Sequence, residues 1–234
     1  MNISRYAKIS NSPFPREIVL LKAFPCKWAK CAFCDYIHDN SIDENAINSI
    51  NREVLNNVSG CFNVLQVINS GSCFEIPNQT LNYLKTIILE KNIQKLYFEA
   101  HWMYRNRLDE FRNFFGVPII FITGIETFDE NFRNKVLKKG IHFDSIQEVK
   151  KYFQSVCIMV GIKGQTKEMI NNDLKIVQEN FDHATINIYV NNSTSIKADP
   201  ELIEWFKNEY AYLLKSKKLD LLFENTDFGV GGPI

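Results

Sequence analysis

Short apolar runs alternate with helical patterns along this chain, and this alternation is its main structural signal. The runs have the length of buried strands and lie at residues 17–23, 63–69, 95–99, 117–123, 156–161, 184–190 and 219–223. Between them, apolar residues at helical spacing predict helices over 41–56, 78–91, 105–115, 127–140, 145–153, 166–180 and 200–215. Ser41–Glu44 and Thr127–Glu130 have the spacing of capping boxes, so they are predicted to begin two of these helices.

Continuous apolar strands separated by helices imply a parallel sheet covered by helices. Six strand–helix units are fewer than the eight of a closed barrel. The predicted fold is therefore α/β, an open, partial (β/α)6 barrel, and a doubly wound open sheet is the alternative. Residues 1–234 are predicted to form a single domain, with a core over about 17–215 and a tail, 219–234, that closes the barrel. In both folds the active site lies at the C-terminal ends of the strands, which directs attention to the loops that follow them.

Composition and charge narrow the classes of partner. The 234 residues include 27 Lys and Arg and 27 Asp and Glu, so the formal net charge is zero, which argues against binding of long duplex nucleic acid. No apolar run reaches the roughly 18 residues that would cross a bilayer. The first residues lack the apolar stretch of a signal peptide. We expect a cytoplasmic protein with no membrane partner.

Three of the six cysteines stand close together. Cys26, Cys31 and Cys34 lie in a segment, residues 26–34, that follows the first predicted strand and is called the cysteine loop below. Three thiolates on one loop can hold three corners of a metal cluster and leave one iron open to a small ligand. A zinc site with His38 as fourth ligand is the alternative. The other cysteines lie in or next to apolar segments and are interpreted as small buried hydrophobic residues: Cys61, Cys73 and Cys157.

The cysteine loop resembles that of the radical S-adenosylmethionine superfamily. That family has a Cys-x3-Cys-x2-Cys loop after the first strand of a partial barrel, with an aromatic residue before the last cysteine, where this chain has Phe33. The spacing here is Cys-x4-Cys-x2-Cys, and the extra residue falls in the first gap, where a loop can bulge. The resemblance implies a [4Fe–4S] cluster on the three cysteines and S-adenosylmethionine on the open iron.

Motifs at later strand ends are also similar to those of this family. Ser70-Gly71-Ser72 follows the second strand, where the family has a turn that receives the methionine amino group. Glu99 ends the third strand, and a carboxylate there can accept two hydrogen bonds from ribose hydroxyls. Glu126 and Gly161 fall in runs that resemble family turns after the fourth and fifth strands. The cofactor-binding residues implied are Phe33, Ser70, Gly71, Ser72, Glu99, Glu126 and Gly161, and the substrate-binding candidates are His101, Tyr189, Asn191 and Asp227.

The implied substrate is a small molecule, because no second cysteine cluster and no domain for binding tRNA or cobalamin is visible. The whole sequence is similar to the small queuine lyases of bacterial queuosine salvage. That similarity implies cleavage of the C–N bond of queuine to release 7-aminomethyl-7-deazaguanine, with a reductant such as flavodoxin or ferredoxin as partner. Two alternatives stay open: a radical enzyme of tRNA base modification, similar to archaeosine synthase or Elp3, and a zinc-stabilised binding module.

Overall fold

The computed structural model describes residues 4–222, so Asp227 lies outside the described residues. The described residues fall into two compact units. The first unit contains residues 4–29 and 36–122, and the second contains residues 30–35 and 123–222. The boundary between them crosses the cysteine loop and one strand.

The first unit is a sheet of parallel strands with one antiparallel strand at its edge. β1 is antiparallel to β2, and the order continues in parallel through β3 and β4 to the first half of β5. β1 was not predicted, because it is a four-residue edge strand that is only partly buried. The elements of this unit are β1 (Tyr6–Ile9), β2 (Arg16–Leu21), α1 (Glu44–Leu55), β3 (Val64–Asn69), α2 (Asn78–Glu90), β4 (Lys95–Glu99), α3 (Leu108–Phe115) and β5 (Ile119–Glu126), whose first four residues belong here.

Packing in the first unit explains why the strands read as continuous apolar runs. Every residue of β2 is buried, as expected of a parallel strand covered on both faces. Phe98 of β4 packs edge-on against Phe111 of α3, with ring centroids 5.2 Å apart, and stacks on Phe115 at 5.4 Å. Aromatic pairs of this kind contribute about 0.5–1.5 kcal/mol each beyond the area they bury. The carboxyl ends of these strands are thereby fixed in position.

The second unit continues the alternation of strands and helices. β6, β7 and β8 are parallel and hydrogen-bonded in that order. A buried polar chain joins the beginnings of these three strands: Ser155 Oγ lies 2.5 Å from His183 Nδ1, and His183 Nε2 lies 3.4 Å from Asp220 Oδ2. The elements are the end of β5, α4 (Ile146–Tyr152), β6 (Ser155–Val160), α5 (Lys167–Asn180), β7 (His183–Ile188), α6 (Pro200–Glu209) and β8 (Leu219–Leu222).

Two predicted helix starts are wrong. α1 begins at Glu44, and its N-cap is Asp43, whose carboxylate accepts a hydrogen bond from the Ala46 N–H. Ser41 instead accepts a hydrogen bond from the Asp43 N–H, so the predicted capping box does not form.

The helix predicted over 127–140 is also wrong. β5 continues to Glu126, and only a short π-helical turn, Phe132–Val136, follows it. The buried Arg133 guanidinium donates to the carbonyls of Thr127 and Ile141, each at 3.0 Å, and these bonds fold the segment into a compact loop. Among residues 4–222, the helices are all too short or too polar to cross a membrane.

Candidate active site

The turn after β3 lies against the first cysteine of the cysteine loop. Ser70 and Ser72 are buried, and a Cβ added to Gly71 would lie 3.4 Å from Cys26 Cβ and 3.1 Å from Glu75 Oε2. Glycine therefore leaves the turn room to approach Cys26. Within the described residues, the buried Ser70 Oγ and Asn69 Oδ1 have no hydrogen-bonding partner. Buried polar atoms of this kind are expected to meet a ligand or water, and they fit the methionine amino group that the sequence resemblance places here.

Glu75 organises this turn, and it was missed by the sequence analysis. Its buried carboxylate accepts hydrogen bonds from the Ser72 N–H, from the Tyr104 hydroxyl at 2.5 Å and from the Lys27 N–H at 3.5 Å. Its backbone carbonyl accepts from the Phe24 N–H at 3.0 Å. Burial raises the pKa of Glu75, and the hydrogen bonds oppose that rise. One side chain thus connects the turn with the residue that follows Cys26, and the Ser72-x-x-Glu75 capping-box spacing was the signal available in the sequence.

His101 contacts both the turn and the cysteine loop. Its backbone N–H donates to Ser72 Oγ at 3.3 Å. Its ring stacks on Trp28, with centroids 5.1 Å apart and an interplanar angle of 18°. His101 Nδ1 accepts a hydrogen bond from the Met103 N–H at 3.2 Å, which places the proton of a neutral ring on Nε2. Glu99 lies nearby in sequence, half-buried at the last position of β4.

In the second unit, the remainder of the cysteine loop is anchored to a hydrophobic cluster. Phe33 is buried in this cluster, and Cys31 and Cys34 pack against it. The Ala32 N–H donates to the Leu137 carbonyl at 2.9 Å. The other members of the cluster are Phe132, Leu137, Met159, Ile162 and Tyr189. The cluster fixes the backbone that carries the second and third cysteines.

Glu126 forms a buried ion pair with Lys139, whose Nζ lies 2.6 Å from Glu126 Oε1. The Glu126 backbone has a φ of +66°, a left-handed conformation that is uncommon for residues other than glycine. Burial lowers the pKa of Lys139, but the Glu126 carboxylate and the thiols of Cys31 and Cys34 outweigh it and raise that pKa above its usual value. Lys139 therefore stays a cation.

The other predicted positions have clear structural surroundings. Gly161 has a φ of +88°, and a Cβ there would lie 2.2 Å from Ile203 Cγ1, so the approach of α6 requires glycine. The Tyr189 ring is buried, and its hydroxyl donates to Asn192 Oδ1 at 3.2 Å. Asn191 is exposed, and its side chain accepts from the Ala198 N–H at 2.8 Å. The ligand-binding roles of these three residues stay predictions.

The three loop cysteines are half-buried and form no disulfide, and three cysteine thiolates are a donor set that an iron–sulfur cluster uses. Within residues 4–222, no three His, Cys, Asp or Glu side chains are grouped so as to hold a metal ion as they stand. His38, the zinc alternative's fourth ligand, is exposed in a short 3-10 helix. Cys73 is buried as predicted, but the interpretation of Cys61 as a buried residue is wrong, because it is exposed.

Comparison with known proteins identifies the family. A solved structure of queuine lyase from Clostridium spiroforme, bound to S-adenosylmethionine and queuine, is 53% identical, with a TM-score of 0.95 over 99% of this chain and 100% of that chain. The chain belongs to the queuine lyase family of radical S-adenosylmethionine enzymes. The predicted fold class, an α/β partial barrel of the radical S-adenosylmethionine type, is confirmed.

Two more distant similarities were found. Methylornithine synthase shares the fold, with a TM-score of 0.61 at 16% identity over 92% of this chain and 66% of that chain. An uncharacterized protein of Methanocaldococcus jannaschii is 29% identical over a 147-residue alignment, and the match covers 55% of this chain. The match spans only 40% of the length of that curated relative. No protein-family model matches the chain.

Proposed function

We propose that this chain is a queuine lyase that cleaves the C–N bond of queuine and releases 7-aminomethyl-7-deazaguanine. The observation that supports this most directly is the 53% identity to a queuine lyase whose structure holds both S-adenosylmethionine and queuine. The identity extends over the full length of that protein, so the loops after the strands are included. This similarity favours the lyase over the tRNA-modifying and the zinc-binding alternatives.

Cys26, Cys31 and Cys34 are the proposed ligands of a [4Fe–4S] cluster. When bound, such a cluster supplies the single electron that starts radical cleavage of S-adenosylmethionine. The chain itself binds and orients the cofactor and excludes water from the reacting carbon. A reductant such as flavodoxin or ferredoxin is the proposed source of the electron.

Ser70, Gly71 and Ser72 are the proposed site for the methionine amino group. The unpartnered Ser70 Oγ can accept from an ammonium group, and Gly71 lets the backbone come close. The Glu75 carboxylate accepts a hydrogen bond from the Ser72 N–H and lies buried next to Gly71 of the turn. A negative charge in this position favours the positively charged cofactor.

The substrate side is proposed from a smaller set of residues. His101 stacks on Trp28 of the cysteine loop, and a planar deazapurine can extend such a stack. Asp227 is the proposed carboxylate for the donor edge of the base, because one carboxylate accepts both of its hydrogen bonds. Tyr189 and Asn191 are the remaining proposed substrate-binding residues.

The test is an anaerobic assay with purified protein, S-adenosylmethionine, a chemical one-electron reductant and free queuine, without tRNA. We expect 5′-deoxyadenosine and 7-aminomethyl-7-deazaguanine to form, as measured by mass spectrometry. Cys31→Ala should abolish both products. The matched control Cys61→Ala changes an exposed cysteine and should keep both. Inert queuine together with stimulation by tRNA would show that the lyase proposal is wrong and that the tRNA-modifying alternative applies.

A further inference from the structure

The buried cation Lys139 lies beside the part of the cysteine loop that belongs to the second unit. Ala32 lies between Cys31 and Cys34 in the sequence, and its N–H donates a hydrogen bond to the Leu137 carbonyl at 2.9 Å. Leu137 precedes Lys139 by two residues, so this bond holds the backbone near Lys139 against the cysteine loop. Lys139 Nζ lies 5.3 Å from the centre of the Phe33 ring, a cation–π distance. The side chain is only 12% exposed.

The Lys139 ammonium has two neighbours that matter here. One is the Glu126 carboxylate at 2.6 Å, and the other is the ring of Phe33, which lies between Cys31 and Cys34 in the cysteine loop. A salt bridge that only stabilised the fold would need the Glu126 carboxylate and no position beside the cysteine loop. The contact with Phe33 brings the charge of Lys139 close to the segment that carries two of the proposed metal ligands, and in this buried position water screens that charge little.

The fold accepts two constraints to keep this ion pair. Glu126 holds a left-handed backbone conformation, which costs a residue other than glycine free energy. Gly124 has no side chain, and a Cβ there would lie 2.3 Å from Glu126 Oε1 and 2.9 Å from Lys139 Nζ. Strain of this kind is concentrated at functional sites, because elsewhere an unstrained residue would replace it.

We infer that Lys139 sets how readily the cluster held by the cysteine loop takes up an electron. This inference rests on the proposed function. Three thiolates and an added electron bring negative charge to one place, and a buried ammonium beside the segment that carries two of those thiolates lowers the cost of adding it. Glu126 orients the ammonium and partly neutralises it. The two partners therefore act on the reduction potential with opposite signs.

The test is a reductive titration of the reconstituted protein, followed by the electron paramagnetic resonance signal of the reduced cluster. Lys139→Met should shift the midpoint potential to a more negative value. Glu126→Gln should shift it to a more positive value. Lys139→Arg keeps the charge and should stay near the wild type, and so should Lys175→Met, which removes an exposed lysine of α5.

Opposite shifts in the first two variants would support the inference, since a purely structural ion pair would change cluster content and leave the potential of assembled clusters unchanged. Unchanged potentials in both variants would overturn it. If Lys139→Met assembles no cluster, the Glu126→Gln potential decides alone: a positive shift supports the inference and no shift overturns it. Wild-type protein that assembles no cluster would overturn the proposed function together with this inference, whereas a normal wild-type signal with unchanged variants overturns the inference only.

Discussion

Replacing Gly124 by alanine tests whether the Glu126–Lys139 ion pair needs the space that a glycine leaves beside it. The new methyl carbon would lie 2.3 Å from Glu126 Oε1 and 2.9 Å from Lys139 Nζ, and both distances are shorter than any normal contact. Gly124 lies within β5, and its φ is outside the left-handed region, so alanine strains nothing except this contact. The carboxylate and the ammonium are the ends of side chains and must both shift, which stretches or breaks the 2.6 Å ion pair.

The expected cost follows from two limits. Overpacking a buried site costs about 1–3 kcal/mol, and losing one partner of a buried ion pair costs about 3–5 kcal/mol. Both partners remain in Gly124→Ala, so the unfolding free energy should fall by about 2–4 kcal/mol. Gly116→Ala is the matched control, because a Cβ there meets nothing within 4 Å and only the φ of +69° opposes alanine. That strain costs about 1–2 kcal/mol.

Denaturant unfolding of the metal-free protein, followed by circular dichroism, measures both changes. The corresponding fall in melting temperature for Gly124→Ala is roughly 5–15 °C for a chain of this size. In a Glu126→Ala background, Gly124→Ala should lower the unfolding free energy by less than half as much, because Glu126 Oε1, the nearer of the two clashing atoms, is gone. A Gly124→Ala cost no larger than that of Gly116→Ala, or one unaffected by Glu126→Ala, would refute the reasoning.

Three further predictions concern the metal, the cofactor and pH. Anaerobic wild-type protein should bind about four iron per chain; Cys26→Ala should lose that iron, and zinc without iron in the wild type would contradict the assignment. Glu75→Gln should weaken S-adenosylmethionine binding at least about tenfold, because charged hydrogen bonds are lost. Its iron content should stay at the wild-type level, and the control Glu90→Gln should bind S-adenosylmethionine with unchanged affinity. Equal affinity of Glu75→Gln and wild type in calorimetry would show that Glu75 does not support the turn. Burial raises the pKa of Asp173 from 3.8 to about 7 in the folded chain. Between those pH values the folded state keeps a proton that the unfolded state loses, so the unfolding free energy of the wild type relative to Asp173→Asn should fall as pH rises from about 4 to about 7 and then level off. Parallel pH profiles for the two proteins would contradict this.

Much of the architecture could be predicted from the sequence, because the features concerned are local. Strands and helices were found from the period of apolar residues, and the N-cap of α5 at Thr166 follows from one side chain and the next turn. The cysteine loop and the Ser70–Ser72 turn are contiguous, so their spacing is visible without coordinates. The same local rule failed at Thr127, because Arg133 forms bonds across the segment that a capping pattern cannot anticipate.

The supporting residues of the site were determined only by the tertiary structure. Glu75 meets Tyr104 and Lys27, which lie 29 and 48 positions away. Glu126 and Lys139 are 13 positions apart and come together only where the end of β5 meets the loop after the π-helical turn. Buried charges are stabilised by partners brought close by folding, and neither periodicity nor motif spacing records which partners those will be. The sequence by itself therefore predicted the candidate ligands of the cluster and of the cofactor, because they lie in contiguous motifs, whereas the fold decided which buried charges lie beside those motifs.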